Sequence, residues 1–189
     1  MVMADFEFIF ALFGLLLGLS LVEVLGGLAR SIEARLRPGS KVRIGWLTPL
    51  LGAFVLLDLL SFWQAAWVVR DVVAVSGRSL LAITAFTGAY YLASHLVFPP
   101  DPVAQGDFDR HFMRVRRIVI GVMLVLLLCQ VGWYLTLPEL AVHLSRPIAW
   151  IMTVVLAALM ISAMVVRSER WLRILMVALV ARYLVIYLI

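Results

Sequence analysis

Cysteine is nearly absent: Cys129 is the single example in 189 residues. One thiol excludes an intramolecular disulfide, a cysteine-based metal cluster and covalent haem attachment. Lysine is as scarce, since the 16 basic residues include only Lys41 and the rest are arginine, a usage expected of a G+C-rich bacterial coding sequence. Charge of both signs is thin. Charged residues make up 14% of the chain and hydrophobic residues 65%, where a soluble domain has roughly 25% and about 45–50%. No soluble fold hides that much apolar surface, so much of it faces lipid.

Catalytic patterns are missing too. There is no His-Glu-x-x-His, no Gly-x-Ser-x-Gly and no glycine-rich phosphate loop, and no paired acidic motif of the kind that holds a magnesium diphosphate. The histidines are His95, His111 and His143. His95 falls inside a span, His111 in a basic segment and His143 in an opposite loop, so one chain supplies no axial pair for a b-type haem. Glu139 and His143 share an i, i+4 spacing, but two ligands are too few for a metal site. The expectation is a protein that is not an enzyme and carries no metal or cofactor.

What is present is length in apolar runs. A spanning helix needs about 20 mostly apolar residues. Six segments qualify, at 6–29, 46–69, 79–98, 118–137, 147–166 and 171–189. The predicted fold is therefore an all-α, polytopic membrane helical bundle in a single transmembrane domain. The breaks between spans carry Arg-Pro-Gly-Ser-Lys at 37–41, Ser-Gly-Arg at 76–78, Pro-Pro-Asp-Pro at 99–102, Pro138, Pro147 and Arg-Ser-Glu-Arg at 167–170. The N-terminus is acidic and runs straight into a long apolar stretch. A secretory signal has a basic start and a small-residue cleavage site, so this segment reads as the first helix.

The net charge of +5 and isoelectric point near 10.0 do not indicate nucleic acid, because the basic residues flank spans. The first, third and fifth connections hold twelve of them: Arg30, Arg35, Arg37, Lys41 and Arg43; Arg110, Arg114, Arg116 and Arg117; Arg167, Arg170 and Arg173. The second and fourth hold three, Arg70, Arg78 and Arg146. Positive charge stays on the cytoplasmic side, which predicts both termini outside, in a multi-pass protein of a bacterial inner membrane. Three spans followed by three would place the halves in inverted orientation, although the halves show no sequence self-similarity. Trp46, Trp150 and Trp171 fall near predicted interfaces, as in an aromatic belt. Phe108, Phe112 and Val115 recur at helical spacing among charges, either as a short interfacial helix or as an extension of the fourth span.

Polar residues inside the spans are the candidate functional positions, since a charge at the bilayer centre costs about 2.5–3.5 kcal/mol on insertion scales. Asp58 and Arg182 fall at matching mid-span depth, which predicts one polar cluster, read either as a structural ion pair or as an ion or proton site. Glu23 sits in the first span on a face with Ser20, Gly27 and Arg30. It either leans toward a basic group such as Arg30 or meets His95 in a proton-relay-like pair. On the third span Thr84, Thr87, Gly88, Tyr91, Ser94 and His95 fall within about 120° of arc. That face either lines a hydrated path or bonds to neighbouring helices. Gln130 adds a polar group to the fourth span. Gly14, Gly18 and Gly26 form a small-residue ridge on the first span that permits close helix approach, and Pro49 with Gly52 marks a kink in the second. The pattern predicts a channel or transporter subunit for an ion or small solute. The alternative is a non-catalytic scaffold or accessory subunit. Expected partners are the lipid bilayer and a second copy of the chain or another membrane-complex subunit.

Overall fold

The computed structural model of the chain describes residues 2–70, 75–137 and 147–188, with side chains from residue 7 onward. The described residues form helices α1 (Val2–Leu36), α2 (Leu47–Val68), α3 (Gly77–Val97), α4 (Pro102–Gln105), α5 (Phe108–Thr136), α6 (Pro147–Val165) and α7 (Glu169–Leu188). All but the four-residue α4 are long and apolar enough to cross a membrane. The chain is a multi-pass, all-α membrane bundle. Ends of the bundle are named here by their charge: the basic end carries the α1–α2, α3–α5 and α6–α7 connections, and the charge-poor end carries the other two.

Helices α1, α3, α5, α6 and α7 pack in that order as an open arc, and α2 fills its centre, touching α1, α3, α5 and α7. A helix that is apolar all round belongs in the interior, and α2 buries Leu47, Leu51, Phe54, Val55, Leu59 and Phe62 along its length. The outer helices instead present leucine, isoleucine and valine outward, among them Leu15, Leu81, Ile118, Val154 and Val177, each more than half exposed. Lipid is as apolar as these side chains, so within the bilayer the bundle is held by close packing and polar contacts more than by hydrophobic burial. Inverted symmetry finds no support in this packing. The first three spans all touch one another, while α5 and α7 share no contact among the described residues.

The basic end is the most tightly tied. Arg43 N donates to Gly106 O at 2.7 Å and Phe108 N to Arg43 O at 3.0 Å, a short parallel pairing of two connections. Thr48 Oγ1 donates to Phe108 O at 2.7 Å, and Leu47 N donates to Asp109 Oδ1 at 3.1 Å, capping α2. Gly45 lies at φ 65°, and a Cβ there would collide with the Asp109 carboxylate, so this turn admits only glycine. Arg116 Nη1 donates to Ala163 O at 3.2 Å and also to Val166 O. Arg117 Nε donates to Met164 O at 3.1 Å. Two cations thus meet the bare carbonyls at the α6 C-terminus, where the helix dipole favours them.

One open alternative is decided and two local expectations change. Residues 108–117 extend the fourth span: they are the first turns of α5, with Phe108 and Phe112 wholly buried in the protein core. Helix α1 extends to Leu36, past the predicted boundary at 29, because the next helix breaker is Pro38, which disfavours α geometry at Arg37. Pro49 falls in the first turn of α2, where a missing N–H leaves no hydrogen bond unmade. Gly52 serves packing instead, as the Phe98 ring would lie 3.1 Å from a Cβ there.

Candidate functional site

Asp58 lies on the inward face of α2 and is 4% exposed. Its Oδ1 accepts a hydrogen bond from the Tyr183 hydroxyl of α7. Its Oδ2 lies 3.3 Å from the Tyr90 hydroxyl of α3, which is also 2.8 Å from Val55 O. Tyrosine hydroxyls are apt partners here, as their rings fill apolar space while the O–H satisfies the carboxylate. Asp58 and Arg182 are expected in one polar cluster, and the group that links them is Tyr183, whose hydroxyl meets Asp58 and whose ring lies under the Arg182 guanidinium. No salt bridge joins the two residues among the described ones. Adjacent positions on a helix point about 100° apart, so when Tyr183 faces α2 its neighbour Arg182 turns toward α6. Arg182 Nη2 reaches Met152 O at 3.4 Å, and the guanidinium stacks over the Tyr183 ring at 4.7 Å. Depth matching on two helices carries no information on azimuth.

Glu23 and His95 do meet. His95 Nδ1 lies 3.0 Å from Glu23 Oε1, and Arg30 Nη2 lies 3.3 Å from the same oxygen. Both anticipated partners of Glu23 are therefore present, at the basic end of the α1–α3 seam. The Tyr91 ring stacks on His95 at 6.4 Å. This cluster is outward-facing, with the His95 side chain 54% and the Glu23 side chain 20% exposed.

The polar face of α3 does not act as one surface. Thr87 and Ser94 turn into the bundle, whereas Thr84 and His95 are exposed and Tyr91 is half-buried. Thr87 Oγ1 donates to Ile83 O of its own helix at 2.7 Å. The inward face is instead Thr87, Tyr90, Ala93, Ser94 and Val97, rotated from the polar arc toward α2.

The glycine ridge is divided as well. A Cβ at Gly14 would meet the Trp63 ring of α2 at 3.2 Å, one at Gly18 would meet nothing within 4 Å, and one at Gly26 would meet only Arg30 of the same helix. The tightest approach is at Gly27, where a Cβ would lie 2.7 Å from Phe98 Cβ. Phe98 leaves the end of α3 and wedges between Gly27 and Gly52, locking α1, α2 and α3 together. Glu139 and His143 lie outside the described residues.

At the charge-poor end, α1, α2, α3 and α5 part to leave a cavity of about 650 Å3. Its walls are mostly apolar and aromatic, including Phe10, Phe13, Phe62, Phe86, Leu126 and Trp133. Among the described residues, polar groups enter from two helices: Gln130 and Tyr134 on α5, with Cys129 beside them, and Arg78 and Ser79 on α3. Gln130 Nε2 donates to Tyr134 Oη at 3.4 Å, and that hydroxyl is 3.4 Å from Ala65 O. The floor is Phe62, packed edge-on against Phe86 at 5.0 Å and against Tyr90 at 5.6 Å. One aromatic layer therefore separates the cavity from the Asp58 hydroxyl pair. Of the sequence-derived candidates, Gln130 alone lines this space. Phe62, Tyr90 and Tyr183 escaped sequence reading, because an aromatic residue in a span carries no mark of the helix it will face. The small residues Ala65, Ala66, Ala82 and Ala85, at facing positions near the same end of α2 and α3, are the signal that was there to read. No protein-family profile, curated protein or solved structure matches the chain.

Proposed function

We propose that the protein is a transport-class membrane subunit whose solute is an amphiphile, taken up sideways from the bilayer into the cavity between α1, α2, α3 and α5. The carrying observation is the cavity itself. Its volume of about 650 Å3 falls within the roughly 300–1,000 Å3 of sites that hold one small molecule. Its apolar wall with a few convergent polar groups is the chemistry such sites use. Ion conduction has less support. Asp58, the most deeply buried acid among the described residues, is closed in by tyrosines and separated from the cavity by Phe62, while Glu23 and His95 lie on the outside of the bundle.

The native Cys129 provides the test. In the purified protein in nanodiscs, a lipophilic maleimide should label Cys129, and a saturating single-chain amphiphile should slow the labelling several-fold. Ala82→Trp, which fills the cavity, should remove that protection. Protection that is absent, or that survives the filled cavity, would overturn the reading.

A second reading, an accessory subunit packed against another chain, has its own observation. Thr84 and His95 are exposed on α3, and a Cβ at Gly88 of the same helix, or at Gly18 of α1, would meet open space. Polar groups rarely face lipid. Native mass spectrometry of the membrane-extracted protein checks for a bound second subunit, homo- or hetero-oligomeric, and a strictly monomeric species would remove this reading.

A further inference from the structure

We infer that the cavity selects a single-chain amphiphile with an anionic head, held by Arg78, with its chain directed toward the Phe62 floor. This rests on the amphiphile reading above and adds the sign of the head and its place. Arg78 is the only charged residue in the described cavity lining, which contains no carboxylate. The described lining thus carries one positive charge. Arg78 is exposed and makes no ion pair among the described residues, so its guanidinium is available to a ligand.

Position fixes orientation. Arg78 is the second residue of α3, and the preceding Ser76 caps the helix: its hydroxyl accepts from Ser79 N at 3.1 Å. The guanidinium therefore stands at the charge-poor end of the span, beside a helix start whose dipole adds positive potential. From there the lining descends through Ala82 and Ile83 to Phe86 and Phe62, an apolar path down to the floor. Gln130 and Tyr134, on the α5 wall, offer neutral hydrogen bonds. They suit a polar group but set no charge. A guanidinium binds carboxylate and phosphate alike through paired N–H donors, so the shared chemistry is an oxyanion on an apolar chain. A lone arginine at an exposed mouth is screened by salt, which gives the interaction an ionic-strength signature.

Equilibrium binding of three probes with the same chain, oleate, oleyl phosphate and oleyl alcohol, to the full-length protein in zwitterionic nanodiscs tests the assignment. Empty nanodiscs provide the partition baseline. We expect both anions to bind above baseline and more tightly than the alcohol, with their order revealing which oxyanion the site prefers. Arg78→Gln should weaken anion binding about tenfold, equivalent to about 1.4 kcal/mol, and leave the alcohol unchanged. Arg78→Lys should restore part of the loss, and raised salt should weaken the anions in the wild type and not in Arg78→Gln. Equal binding of all three probes, indifferent to Arg78→Gln, would overturn the anionic assignment and leave the amphiphile cavity standing. No probe above the nanodisc baseline would overturn both. Because Arg78 is exposed, its substitution leaves folding intact, and an unchanged thermal transition verifies this.

Discussion

Removing the Tyr183 hydroxyl takes from Asp58 Oδ1 its donor from α7 and leaves a buried acceptor short of a partner. A hydrogen bond to a charged group contributes about 1.5–3 kcal/mol, so Tyr183→Phe should destabilise the protein by that order, read as denaturant or thermal unfolding in detergent. Arg182→Gln should cost less. It removes one long contact to Met152 O and a guanidinium stacked on the Tyr183 ring, worth about 0.5–2 kcal/mol. A larger loss for Arg182→Gln than for Tyr183→Phe would mean that Asp58 depends on the cation after all. At this scale the sequence was half legible. The costly residues Asp58, Glu23, His95 and Arg182 stand out because charge in lipid is rare, and the Glu23 partners follow from helical spacing and depth. The tyrosines that satisfy Asp58 do not stand out, because tyrosine is unremarkable within an apolar span.

Phe98 shows how the helices are locked, and glycine substitutions separate that lock from the ridge on the other side of α1. Gly27→Ala places a methyl 2.7 Å from Phe98 Cβ. Overpacking of this kind costs about 1–3 kcal/mol, more than the roughly 1 kcal/mol that alanine gains over glycine in a helix. Net destabilisation of the isolated protein is expected. Gly18→Ala meets nothing within 4 Å and should raise stability by up to about 1 kcal/mol through helix propensity alone. Equal responses at the two positions, in the same unfolding assay, would show that the Phe98 wedge is not decisive. Element boundaries were legible where proline and glycine punctuate the chain. The continuity of α5 through Arg110, Arg114, Arg116 and Arg117 was one of two readings, and the contacts of Arg116 and Arg117 with the end of α6 are what the charges alone do not reveal.

Over the whole molecule, the concentration of arginine on alternate connections of six candidate spans leads us to propose that both termini face outward. A periplasm-active reporter fused after Ile189 should be active, and a cytoplasm-active reporter at the same point silent. The reverse pattern would invert every assignment of inner and outer leaflet. The bundle and its crossing number were legible because hydropathy and charge asymmetry are read directly from residue type. The cavity was not, because it arises between four helices whose mutual placement residue type alone does not reveal. The central claim is that this cavity holds an amphiphile, and the most direct measurement is photolabelling with an alkyl diazirine fatty acid in nanodiscs, mapped by peptide mass spectrometry. Insertion should concentrate on the cavity-lining residues of the 62–69, 82–86 and 126–134 stretches, such as Phe62, Ala66, Ile83, Phe86, Leu126 and Trp133, and excess unlabelled fatty acid should suppress it there. Labelling spread evenly over the outward faces of all six long helices, α6 and α7 included, and not suppressed by competitor, would contradict the account.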